Sequence, residues 1–188
     1  SYQYFTDAFS AMLDPAAGPV SAGEQLLISY GPRSNDKLLL YYGFVEPLND
    51  NDEYVLSQEE FLVALATVAP FESSQLGQLR GAGLTDGEAE VSGSRRGAGS
   101  RAAQLARLLL IPSASLCDDG KQSAASSGEE RLVRSALAAV AMLEQKRLSE
   151  AGGAGSPGGG TAFEALAHSF RAEKVALLES CASALESR

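Results

Sequence analysis

The chain has no tryptophan, one histidine and two cysteines in 188 residues. Each scarcity excludes something. Cys117 and Cys181 are far apart, and neither sits in a cluster spaced for metal binding. A zinc framework is therefore excluded, and two unpaired thiols in a reduced compartment are expected. His168 lies in a helical pattern without an acid–serine arrangement, so it reads as structural or exposed. Aromatic residues make up only 7%. Alanine and leucine must then carry the packing, which favours helices. No apolar run approaches membrane-spanning length. The opening SYQYFTDAFS lacks the basic and apolar regions of a secretory leader. It also lacks an initiator methionine, which fits a chain beginning inside a longer protein and equally a processed or trimmed one. No glycine falls at the spacing of a dinucleotide or P-loop phosphate cradle, and there is no nucleophile elbow.

Basic residues are also few: 15 lysines and arginines against 24 acids, a net charge of −9. That balance argues against nonspecific binding to nucleic acid or anionic membranes. Arg95-Arg96 and the Arg131/Arg134 pair are too small to make a nucleic-acid surface. The acidity is uneven. Residues 1–56 carry Asp7, Asp14, Glu24, Asp36, Glu46, Asp50, Asp52 and Glu53 against Arg33 and Lys37. Such a surface would attract a lysine-bearing substrate; it would equally serve as a plain solvated face.

Hydrophobic content of 45% is enough for a core. Tyr2 to Phe5 and Phe9 to Leu13 are strand candidates. Leu26 to Ser29 reads as a short buried strand entering a turn at Gly31-Pro32. Ser34 or Asn35 caps a helix whose apolar face is Leu38, Leu39, Tyr42 and Tyr41, and Gly43 suits its C-terminus. Asn49 to Asp52 is a polar turn, and Glu53 to Leu56 a short strand. From Ser57 the pattern is helical. Ser57 and Glu60 form a capping box ahead of Phe61, Leu62, Leu65 and Val68, and Pro70 ends that helix. Leu76, Leu79 and Leu84 mark a second short helix. Gly87 to Ser100 reads as a loop, and Arg101 to Ile111 as a helix with Leu105, Leu108 and Leu109 on one face. Pro112 to Gly128 reads as a poorly ordered insertion. Ser127 and Glu130 suggest another capping box, before a helix with the stripe Leu132, Ala136, Val140 and Leu143. Ala151 to Gly160 is a glycine-rich hinge. Thr161 and Glu164 cap a final helix bearing Phe163, Leu166, Phe170, Leu177, Cys181 and Ala184. Helices over 129–150 and 162–187 are expected to pair as a hairpin.

One segment carries a resemblance. In Gly23 to Leu56, Gly23-Glu24 leads to Tyr30-Gly31, then Ser34-Asn35, then Tyr42-Gly43-Phe44. This order resembles the last part of a SET-domain protein-lysine methyltransferase of the Rubisco large-subunit type. The helical half is similar, more weakly, to that group's substrate-binding domain. The likeness there runs through Leu79 to Leu84, Arg107 to Leu110 and Phe170 to Lys174. The glycine- and serine-rich stretches depart from the family pattern and read as insertions. The resemblance implies an α+β fold that is mostly α. A small β-rich SET remnant would occupy 1–56, and an all-helical substrate-binding domain ending in a long hairpin would occupy 57–188.

It further implies S-adenosyl-L-methionine as cofactor and a protein substrate presenting a lysine, with no nucleic acid, membrane or metal as partner. Tyr30 matches the catalytic tyrosine. Tyr42 and Phe44 match cofactor-site aromatics, Tyr42 lining the lysine channel and Phe44 packing on the adenine. Read from the residues alone, the three rings are equally core aromatics at one strand–turn–helix junction. The family's glycine-containing cofactor motif and its Asn-His motif do not occur before Gly23. A complete parent enzyme is therefore expected to be active and this chain alone inactive, the alternative being a non-catalytic helical interaction module with a vestigial SET segment. The resemblance leaves the compartment open, a chloroplast included.

Overall fold

A computed structural model describes residues 2–3, 8–9, 18–25, 28–81, 90–111, 126–151 and 161–187. Contacts divide the chain into two units, Ser1–Gly31 and Pro32–Arg188. The division falls well before the 56/57 boundary read from the sequence: residues 32–56 belong with the helices that follow.

In the first unit, β1 (Tyr2–Gln3) pairs antiparallel with β2 (Ala8–Phe9), Tyr2 opposite Phe9. The remainder of both strand candidates, and Leu26-Leu27, lie outside the described residues. Ile28 and Ser29 are exposed and in no strand, contrary to the buried strand expected there. The reason is local. The Ser29 hydroxyl accepts the Gly31 N–H at 3.2 Å, and Gly31 takes a φ of 75°. A side chain that satisfies the nearby backbone in this way competes with a strand ladder.

The second unit begins with α1 (Asn35–Tyr42), followed by β3 (Glu53–Ser57), α2 (Gln58–Val68) and α3 (Ser73–Gly81). Next come β4 (Glu90–Ser94), β5 (Gly97–Ala98) and α4 (Ser100–Leu110), then the long helices α5 (Ser127–Ala151) and α6 (Ala162–Glu186). The fold is thus mostly helical with a small antiparallel sheet ordered β3-β4-β5. That sheet corrects two expectations. The second half is not all-helical, and residues 90–98 are a hairpin rather than a loop. Glu53 stands opposite Ser94 and Ser57 opposite Glu90, so β3 supplies the partner that makes a glycine–serine segment extended. Such a segment carries too few bulky side chains to announce a strand.

Capping follows the sequence at two helices. The Ser57 hydroxyl accepts from the Glu60 N–H while the Glu60 carboxylate accepts from the Ser57 N–H, and Thr161 and Glu164 repeat the arrangement. At α5 the cap sits one residue earlier than expected. Ser126 accepts from the Glu129 N–H, because the Glu130 carboxylate is held by Arg107 on α4. The buried stripe of α5 is Val133, Ala136, Leu137 and Val140. Leu132, expected in it, is half exposed.

The main core joins Leu56, Phe61, Leu65, Leu79, Leu105, Leu109 and Val133. Each fully buried aliphatic side chain contributes about 1.5–3 kcal/mol. A second cluster, Ala138, Ala141, Leu178, Cys181 and Ala182, lies between α5 and α6. Its small residues let the hairpin helices approach closely. Phe163, assigned to this packing from the sequence, is exposed near the start of α6. No helix among the described residues is long and apolar enough to cross a membrane.

Candidate functional site

The three tyrosine and phenylalanine candidates fall in different units. Tyr30 belongs to the first and is 37% exposed, so it is not a core aromatic. Tyr42 and Phe44 belong to the second, and the fold brings them together. Helix α1 ends at Gly43, whose φ of 72° reverses the chain and lets its N–H reach Leu39 O at 3.1 Å. This places the Phe44 ring 6.5 Å from that of Tyr42. Tyr41 meets Tyr42 edge-on at 6.4 Å, and the Arg33 guanidinium lies 5.8 Å from the Tyr42 ring centre. Tyr42 is 42% exposed and Phe44 half-buried. The side chains of α1 that reach the interior are Asn35 and Leu38. The helix end therefore presents an accessible aromatic pair flanked by a cation, a surface suited to a planar group.

What holds this segment is a buried polar network that the sequence reading missed. Asp52 Oδ1 accepts the Asn35 backbone N–H at 2.8 Å, and Oδ2 accepts Asn35 Nδ2 at 3.1 Å. Asn35 also bonds both backbone groups of Glu46, at 3.1 and 2.9 Å. Asn49 Nδ2 donates to Arg33 O at 2.8 Å. The Asn49–Asp52 turn is thus polar but only half solvated: Asn49 and Asp52 are buried, while Asp50 and Asn51 are exposed.

Into this network α6 inserts Lys174, only 3% exposed. Its Nζ donates to Asp52 Oδ1 at 2.8 Å, to Glu53 O at 2.6 Å and to the Asp36 carboxylate. A buried ammonium must be paired and hydrogen-bonded, and these partners use its three donors. Lys174 is accordingly a clamp rather than a nucleophile. Its neighbour Glu173 accepts the Leu48 N–H at 3.0 Å and Arg95 Nη2 at 2.8 Å. Leu48 is held at a φ of 54°, unusual outside glycine. A signal was present in the sequence: Lys174 stands between Phe170 and Leu177 at helical spacing, in the apolar stripe of α6.

Elsewhere, Tyr54 Oη donates to Glu144 Oε2 at 3.1 Å. Burial first, and then the Glu144 carboxylate, push that phenol well above its usual range. Tyr54, Glu144 and Cys181 line a small, partly open pocket of about 40 Å³, otherwise largely apolar. Burial also raises the Cys181 thiol. Both groups are kept neutral, and neither is poised for proton transfer at neutral pH. His168 is exposed. Among the described residues, no group of three or more histidine, cysteine or acidic side chains is placed to hold a metal. Comparisons with family models, curated proteins and solved structures find no match to this chain.

Proposed function

We propose that this chain is a portion of an S-adenosylmethionine-dependent protein-lysine N-methyltransferase, carrying its catalytic tyrosine and its substrate-recognition domain. The observation that carries the reading is the Tyr42–Phe44 pair, with Tyr42 exposed and Phe44 half-buried at the Gly43 reversal, within a segment ordered like the end of a SET domain. Accessible aromatic faces fit a ligand bearing an adenine ring. Tyr42 and Phe44 would hold that ligand, which supplies an activated methyl group on sulfur. The chain's own task is then alignment. The target amine must be neutral before it attacks, and fixing it in line can be worth about 7–11 kcal/mol. The Tyr30 hydroxyl would orient the amine and stabilise developing charge. Tyr42 and Phe44 would make one wall of a cofactor site, and a pocket must enclose most of its ligand to bind well.

A second reading has its own observation. Asn35 and Asp52, inside the SET-like segment, are consumed by the clamp on Lys174, so the segment serves the helical fold as structure. That favours a protein-interaction module without catalysis. Calorimetric titration with S-adenosylmethionine separates the cases. The 188-residue chain is expected to bind weakly or not at all, and a longer protein that includes an in-frame cofactor motif and Asn-His pair to bind and to methylate lysine. Absence of binding in that longer protein would overturn the methyltransferase reading. Low-micromolar binding by the chain alone would show that it is no mere portion of the site.

A further inference from the structure

Helices α2 and α5 flank an open groove of about 960 Å³ that the proposed chemistry does not use. Its floor is apolar. Helix α2 turns Phe61, Ala64 and Leu65 inward, which leaves Val63 outward and 64% exposed. Leu143 of α5 lines the groove with it. The walls are charged unevenly. Glu59 and Glu60 line the α2 side; the Glu60 carboxylate is held by its cap on Ser57 and faces the charge of Arg147, while Glu59 has no lysine or arginine near it in sequence between Lys37 and Arg80. On the α5 side both bases are already paired along their own helix, Arg147 with Glu144 at 3.7 Å and Lys146 with Glu150 at 3.8 Å. The groove therefore joins an apolar floor to a net negative charge.

We propose that this groove docks a cationic amphipathic helix from another protein, its aliphatic face on Val63 and Leu143 and its lysines or arginines along Glu59 and Glu60. A helix lying between two helices buries one stripe of its surface and meets charge on its flanks. The eleven residues of α2 offer a wall about 16 Å long, enough for about three helical turns. The sign of the charge turns away nucleic acid and anionic lipid and steers a basic partner in. The inference is independent of methyl transfer, because it needs neither Tyr30 nor a cofactor.

The test is fluorescence anisotropy with the full chain and a labelled lysine–leucine amphipathic peptide of about fourteen residues, about four helical turns. A glutamate–leucine peptide of the same pattern is the counter-probe. The lysine peptide is expected to bind and to weaken at least about fivefold between about 50 and 300 mM salt, as screening removes the charge attraction. Glu59→Lys and Val63→Lys, both at exposed positions, are each expected to weaken it about tenfold or more. Asp50→Lys makes the same change of net charge as Glu59→Lys, at an exposed residue that does not line the groove, and is expected to leave affinity within about twofold. Circular dichroism checks that each variant is folded. Failure of the lysine peptide to bind, equal binding of the glutamate peptide, or equal loss from Asp50→Lys would overturn the proposal.

Discussion

Lys174 Nζ lies 2.8 Å from Asp52 Oδ1, across 122 residues of sequence, with the two residues 3% and 1% exposed. The pair ties the C-terminal helix to the loop behind the aromatic pair. Lys174→Met keeps the side chain's bulk and removes its charge, leaving a buried carboxylate with only the Asn35 donors. The expected loss is about 3–5 kcal/mol in urea unfolding followed by circular dichroism. Adding Asp52→Asn should cost less than the two single changes summed, since one interaction cannot be lost twice. A loss under about 1 kcal/mol for Lys174→Met would show that the clamp contributes little.

Two glycines should answer oppositely to alanine. At Gly99 an added Cβ would stand 2.8 Å from Ser92 O, an oxygen that already accepts the Gly99 N–H. Backbone cannot yield there cheaply, so Gly99→Ala should cost about 1–3 kcal/mol. At Gly128, in the first turn of α5, the added methyl meets nothing. Gly128→Ala should be neutral or stabilise by up to about 1 kcal/mol. Thermal melts of the two variants moving in the same direction would contradict this.

Arg107 grips Glu130 with two bonds, at 2.8 and 2.9 Å, and holds its carboxyl below the usual range. A depressed folded-state pKa means that the unfolded chain binds the proton first. The contribution is therefore present above the ordinary glutamate pKa of about 4.3 and is lost as pH falls through the lower folded value. The pair is one-third exposed, so solvent keeps its worth to about 0.5–1 kcal/mol. Glu130→Gln should flatten the acid limb of stability against pH between about pH 5 and 3. An acid limb as steep as that of the unaltered chain would remove Glu130 from the account.

Tyr30→Phe bears on the proposed chemistry. In the longer methyltransferase, loss of the hydroxyl should lower turnover by about tenfold or more while cofactor affinity stays within about twofold, the pattern of a group acting on the reacting atoms. Turnover within about twofold of the parent would remove that role from Tyr30.

The aromatic pair was legible because everything that makes it is local. Gly43 sits between Tyr42 and Phe44, and a left-handed glycine at a helix end turns the chain wherever the helix lies. The network behind the pair was not legible. Asn49 to Asp52 has the composition of a surface turn, and only partners from distant segments take Asn49 and Asp52 out of water, leaving Asp50 and Asn51 exposed. Leu132 and Val133 show the same limit on α5: the stripe could be drawn through either, and contact with α4 and α2 chose Val133.

Short-range chemistry in the chain determined where helices begin and end. Ser57 with Glu60, Thr161 with Glu164, and Gly43 each complete their bonds within a few residues, so no tertiary partner is needed to specify them. The scarcity of aromatics and the wealth of alanine and leucine likewise determined a mostly helical fold. Tertiary structure alone decided the rest. Residues 90–94 become a strand because β3 offers a ladder, Glu130 leaves its cap because Arg107 binds it, and Lys174 is buried because Asp36, Asp52 and the Glu53 carbonyl surround it. In each case the deciding partner is distant in sequence. Local propensities differ by a fraction of a kcal/mol, whereas a buried charge left unpaired costs several.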